Sequence, residues 1–146
     1  MPKTMRGINT IHRCQNIFRG ERLSGEICGA HHLFVFAICN HPGRSQEELA
    51  RQLCLNKSTD TRALTSLETG GLVKREINPD DKRQFLVYPT DKMLALLPKA
   101  RAIANDWNAL ISEGISESEL AAFHSVLSKM EENARAVIAG LEDEEK

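Results

Sequence analysis

Hydrophobic positions divide the chain into stretches of different period. From Ile8 to Leu23 the apolar residues Ile11, Ile17 and Phe18 are scattered among basic side chains, which predicts a short basic helix. Ile27 to Asn40 is apolar and almost uninterrupted; its length favours a buried helix over a strand, and His41-Pro42-Gly43 stops it. Ser45-Gln46-Glu47-Glu48 is a capping box, in which the Ser45 hydroxyl accepts from the Glu48 amide while the Glu48 carboxylate reaches back. Leu49, Ala50 and Leu53 give the helix that follows its buried side. After the connector Cys54-Leu55-Asn56 a second helix runs from Lys57 or Ser58 to Glu68, with Ala63, Leu64 and Leu67 as its stripe. Gly70-Gly71 ends it in a left-handed cap. Two short helices joined by such a turn form a helix-turn-helix.

The period then changes. Leu72 to Ile77 and Lys82 to Tyr88 read as strands around the turn Asn78-Pro79-Asp80-Asp81, a hairpin placed as a wing directly after the second helix. Pro89-Thr90 caps a long helix reaching about Ser112, in which Pro98 removes a backbone donor and should kink the helix or restart it. Ser116-Glu117-Ser118-Glu119 is a second capping box. Behind it Leu120, Phe123, Leu127, Met130, Ala134, Val137 and Leu141 follow heptad spacing, the pattern of a helix packed along another helix. Glu142 to Glu145 reads as a solvated tail. The fold class expected is mainly α with a small β-hairpin wing, in a single domain over residues 1–146.

Composition sharpens this picture through its distribution. The formal net charge is −1, which excludes a uniformly basic polyelectrolyte. Residues 1–24 carry five cations and one acid, whereas residues 93–146 carry five cations and ten acids. Residues 44–92, with the helix-turn-helix and wing, hold nine cations against eight acids, so a general electrostatic grip on a polyanion should be weak. The longest apolar run, Leu33 to Cys39, is far short of the roughly 20 residues that cross a bilayer. Together with the absence of an apolar segment behind the basic N-terminus, this gives a cytoplasmic expectation with no membrane partner. Cys14, Cys28, Cys39 and Cys54 lack CxxC spacing and are expected to be thiols.

Pro42-Gly43-Arg44-Ser45-Gln46-Glu47-Glu48-Leu49-Ala50, Asn56 to Leu64, Gly71-Leu72-Val73-Lys74-Arg75 and the wing signature Asp80-Asp81-Lys82-Arg83 resemble the MarR family of winged-helix transcriptional regulators. The resemblance implies a winged helix-turn-helix lobe at 27–92, dimerisation helices at 1–26 and 93–141, and an acidic tail at 142–146. It further implies a homodimer that binds double-stranded DNA, usually as a repressor, and releases it when a small molecule binds or a thiol oxidises. No enzyme signature surrounds the five histidines, and no cofactor is expected. A winged-helix module that binds protein instead of DNA is the alternative, although it would not need a cationic wing.

In the major groove, short polar side chains at a helix N-terminal end can reach base edges. Here that end offers Ser58, Thr59, Thr61, Arg62, Thr65 and Ser66, with Arg62 able either to pair with guanine or to clamp a phosphate or a wing acid. Ser45 and Gln46 begin a helix whose amides can hold a phosphate. Lys57, Lys74, Arg75 and Lys82 are candidate phosphate contacts. Arg83 is the candidate for minor-groove insertion; the resemblance implies that Asp81 fixes it. Asp60 falls on the buried stripe, where the family usually has a small apolar residue, so its carboxylate should pair with Lys57, cap the helix or lie at its edge. Cys28, His31 and His32 share a helix face compatible with metal ligation or with an ordinary core or interface. Cys14 lies roughly where thiol-sensing members keep a reactive cysteine but lacks their tyrosine partners, so a buried inert thiol is expected. Phe34, Phe36 and Trp107 could wall a pocket for an aromatic or phenolic effector, or be plain core.

Overall fold

The computed structural model describes residues 2–23, 25–27 and 31–144. The chain order is α1 (Lys3–Leu23), α2 (His32–Asn40), β1 (Arg44–Ser45), α3 (Gln46–Leu53), α4 (Lys57–Thr69), β2 (Val73–Ile77), β3 (Phe85–Pro89), α5 (Asp91–Ile111) and α6 (Glu117–Glu144). It divides into two compact units, Met1–Trp107 and Asn108–Lys146.

The first unit is organised by two caps and a sheet. Both bonds of the Ser45 box form: Glu48 N–H reaches Ser45 Oγ at 3.2 Å, and Ser45 N–H reaches the Glu48 carboxylate at 2.9 Å. The turn to α4 passes through Cys54 in the left-handed region (φ 53°). Asn56 then caps α4, its Oδ1 accepting from Thr59 N–H at 2.8 Å. At the other end Gly71 (φ +73°) is the left-handed residue, while Gly70 stays helical. The antiparallel sheet has the order β1-β3-β2, in a register that pairs Arg75 with Val87 and Ile77 with Phe85. β1 was not legible in the sequence: two residues carry no period, and this strand exists because Arg44 and Ser45 pair with Val87 and Leu86. Gly43 makes the approach possible, since at φ +85° a Cβ there would meet the Tyr88 ring at 3.2 Å.

Leu23, Phe34, Ile38, Leu49, Leu64, Leu67, Val87 and Met93 form the centre of the core, drawn from α1 through α5. Thr90 ties α5 to the end of α4, its hydroxyl within 2.7 Å of the Gly71 carbonyl and 3.4 Å of Met93 N–H. On the other side Arg22 pairs with Asp106 and Phe18 packs on Trp107.

Several boundaries differ from expectation. α1 begins at Lys3, where its polar first turns give no periodic signal. The wing strands are shorter than expected, leaving Lys82 and Arg83 in the connecting loop. α5 does not restart at Pro98 but runs unbroken from Asp91 to Ile111, the missing donor leaving the Leu94 carbonyl without its helical partner. In the second unit the Ser116 box also closes, with Glu119 N–H on Ser116 Oγ at 3.3 Å and Ser116 N–H on Glu119 at 2.9 Å. α6 continues through Glu144, so the described part of the acidic tail is helical.

These roles differ in expected energy. Leu64→Ala, at a fully buried site, should lower the unfolding free energy by about 2–5 kcal/mol. Ser45→Ala, which removes one cap bond, should cost about 1 kcal/mol. Urea unfolding checks both; a larger loss from Ser45→Ala than from Leu64→Ala would contradict the assignment.

Candidate nucleic-acid interface

α4 presents two faces. Asp60, Ala63, Leu64 and Leu67 point into the protein, and Lys57, Ser58, Thr59, Thr61, Arg62, Thr65 and Ser66 are all exposed. Intrahelical bonds restrict what the hydroxyls can do. Thr61 Oγ1 donates to the Lys57 carbonyl and Thr65 Oγ1 to the Thr61 carbonyl, each at 2.8 Å, while Ser58 Oγ donates to Asn56 at 2.9 Å. With their protons so committed, Thr61 and Thr65 offer lone pairs outward. That suits base amino groups better than phosphate oxygens, which require donors.

The wing supplies the second cationic element. Asp81 holds Arg83 by three bonds: Oδ1 accepts from the Arg83 backbone N–H and from Nε, each at 3.1 Å, and Oδ2 accepts from a terminal nitrogen at 3.2 Å. The Arg83 side chain is nevertheless 91% exposed, so the carboxylate orients the guanidinium without covering it. These bonds hold the Asp81 carboxyl below its ordinary value, and the pair is therefore intact at neutral pH and lost only in acid. Lys82 is exposed beside it, and Lys74 is divided between Glu76 at 3.6 Å and the face of Tyr88.

Two of the expected phosphate contacts face inward. Arg75 donates to Glu68 at 2.9 and 3.3 Å and to Gln46 Oε1 at 3.0 Å, and its guanidinium lies over the Phe85 ring. It joins α3, α4 and β2 with a side chain only 19% exposed. The hydrogen bond to Arg75 also lowers the Glu68 carboxyl. Strand alternation is the signal that could have found this, because Arg75 shares its face of β2 with buried Val73. Ser45 is buried and committed to its capping box.

Asp60 departs most from expectation. It neither pairs with Lys57 nor caps the helix, since Asn56 has that role. It is 2% exposed, and among the described residues its Oδ1 has no hydrogen-bond partner. Burial pushes its carboxyl up to about 6, and the negative charge of Glu47 on α3 adds to the rise.

The remaining candidates lie away from this face. His32 is fully buried against Phe36, and among the described residues neither ring nitrogen is within hydrogen-bonding geometry of a partner. Burial, then the charge of Arg19, lowers its pKa against the opposing effect of the Ala100 backbone, which favours the uncharged ring. His31 packs edge-on to Phe34. Cys28 lies outside the described residues, among which no group of three or more His, Cys, Asp or Glu side chains is arranged to hold a metal ion. Cys14 is exposed, contrary to the expected buried thiol, because α1 turns that side outward. Phe34 is buried core, and Trp107 packs on Phe18.

The two arginines should therefore separate by substitution. Arg75→Ala should lower the unfolding free energy by about 1–2 kcal/mol after allowance for solvent screening. Arg83→Ala should leave it within about 0.5 kcal/mol. Equal losses in urea unfolding would contradict these assignments.

Comparison with known proteins gives the same architecture. Residues 30–85 match the sequence model of the MarR family. A putative MarR family transcriptional regulator from Listeria monocytogenes, solved with a 26mer DNA, is 28% identical with a TM-score of 0.85; the match covers 93% of this chain and 91% of that one. A MarR protein from Peptoclostridium difficile is 25% identical with a TM-score of 0.88, covering 92% and 89% of the two chains. The PcaV transcriptional regulator of Streptomyces coelicolor, solved with its natural ligand, is 19% identical with a TM-score of 0.77, covering 87% and 90%. Residues 30–85 thus match the MarR family, and the chain has the winged helix-turn-helix fold seen in the solved MarR-family transcriptional regulators.

Proposed function

We propose that this chain is a sequence-specific DNA-binding regulator, a ligand-responsive repressor that binds a palindromic operator as a homodimer. The observation that carries the reading is the combination of an outward polar face on α4 with a wing arginine that is oriented by Asp81 yet 91% exposed. α4 would lie in the major groove with Thr61, Arg62 and Thr65 toward base edges, while Arg83 enters the adjacent minor groove. Thr59, Lys57, Lys74 and Lys82 would meet the backbone, while the Ser58 hydroxyl stays on Asn56. The Listeria relative solved with DNA supports this use of the fold.

Two further features support the rest of the reading. None of the α6 residues described is buried, and Phe123, Leu127, Met130, Val137 and Leu141 lie exposed at heptad spacing. Such a helix suits pairing with a second copy. His32, buried and without a hydrogen-bond partner among the described residues, lies beside Arg19, and together they supply ring nitrogens and a cation suited to a small aromatic acid or phenol. PcaV, solved with its natural ligand, supports the idea of such an effector. No helix among the described residues is long and apolar enough to cross a membrane.

Selection of genomic fragments by the purified chain tests the reading. The expected result is a two-fold symmetric motif with half-sites about one helical turn apart, lost or much weakened by Arg83→Ala. No enriched motif at moderate salt would refute DNA recognition and leave protein interaction as the function. Thermal shift against phenolic acids should show stabilisation that His32→Ala abolishes; stabilisation unchanged in that variant would remove His32 from the effector site.

A further inference from the structure

The helix assigned to DNA reading is seated on the protein through a carboxylate. Asp60 lies on the inner stripe of α4 with Ala63, Leu64 and Leu67, is almost wholly buried, and has an oxygen without a hydrogen-bond partner among the described residues. α3 and β2 are the elements packed most extensively on α4. From α3 the charged group that acts on Asp60 is Glu47, another acid. From β2 the cation at hand is Arg75, which is bound to Glu68 and Gln46 instead. On α4 itself, Lys57 is exposed. Among the described residues no cation therefore compensates an ionised Asp60, and a second carboxylate opposes it. An uncompensated charge in such a place is costly, whereas a neutral carboxyl is tolerated.

We propose that Asp60 is a positioning residue whose protonation state sets how firmly α4 is seated on α3, and through that seating the affinity for DNA. The DNA half of this inference rests on the function proposed above; the seating half does not. With the proton on, Asp60 is a small polar group inside the α3–α4 contact. With the proton lost to solvent, the charge faces Glu47, and conformations that hydrate it by loosening α4 gain population.

The direction with pH follows from the raised carboxyl. Its ordinary value of 3.8 applies in the unfolded chain and about 6 in the folded one, so the folded state holds the proton more tightly. The stability due to this group is complete below the ordinary value, falls as pH rises toward 6, and is gone above it. Glu68, Asp81 and Glu119, held below their ordinary values, act in the opposite sense. The isosteric Asp60→Asn variant isolates the one group from them.

Unfolding of the native chain and of Asp60→Asn should be measured at about pH 5 and pH 7.5, with binding of each to the duplex enriched from genomic fragments. The variant's advantage in the unfolding equilibrium should grow about tenfold over that interval, and its relative duplex affinity should rise in the same direction. A difference independent of pH would overturn the inference. A pH-dependent stability difference with unchanged relative affinity would overturn the link to DNA. If neither chain binds any duplex while the stability difference moves with pH, the proposed function fails and the seating role stands. Should Asp60→Asn fail to fold, carbon-13 titration of the Asp60 carboxyl in the native chain decides: a midpoint near 6 supports the inference, and one near the ordinary aspartate value of about 4 overturns it.

Discussion

The seating of α4 is the constraint on which the rest of the structure depends. A helix that reads DNA must keep its polar face free, so it can be held only from behind and at its ends. Ala63, Leu64 and Leu67 hold it from behind. Asn56 fixes its start, and the Gly71 turn, bonded by Thr90, fixes its end to α5. Arg75 adds a lateral brace, joining Glu68 near the end of α4 to Gln46 at the start of α3. Each attachment leaves the outward residues from Lys57 to Ser66 uncovered. The one weak point is Asp60, at the centre of the seat.

The same distinction between holding and reading divides the cations. Of nine Lys and Arg residues between 44 and 92, Arg75 is used for cohesion, and Arg44 is paired with Gln52. Arg83 is directed by Asp81 and remains exposed. A nearly balanced lobe therefore presents a few placed cations instead of a broad positive field, which favours recognition by position over general attraction to phosphate.

Much of this was legible in the sequence because the relevant signals are local. Both capping boxes, the helix-turn-helix, the wing turn and the left-handed end of α4 depend on side chains within a few residues of one another. What was not legible depends on partners distant in sequence. β1 needs β3, and the inward role of Arg75 needs Glu68 and Gln46, 7 and 29 positions away. Asp60 was marked as anomalous by its place on the apolar stripe. Its lack of a partner could be learned only from what surrounds it in three dimensions. Asn56 was visible beside the predicted start of α4, but the cap geometry was needed to show that it, and not Asp60, closes the helix.

The proposed DNA surface of α4 and the wing can be mapped directly. Backbone amide shifts of the isotope-labelled chain, followed during titration with its enriched duplex, would map that surface residue by residue. The largest changes are expected at Lys57–Thr65 and at Asp81–Arg83, with little change at Arg75. Changes concentrated in α1, with α4 and the wing loop unmoved, would contradict this assignment.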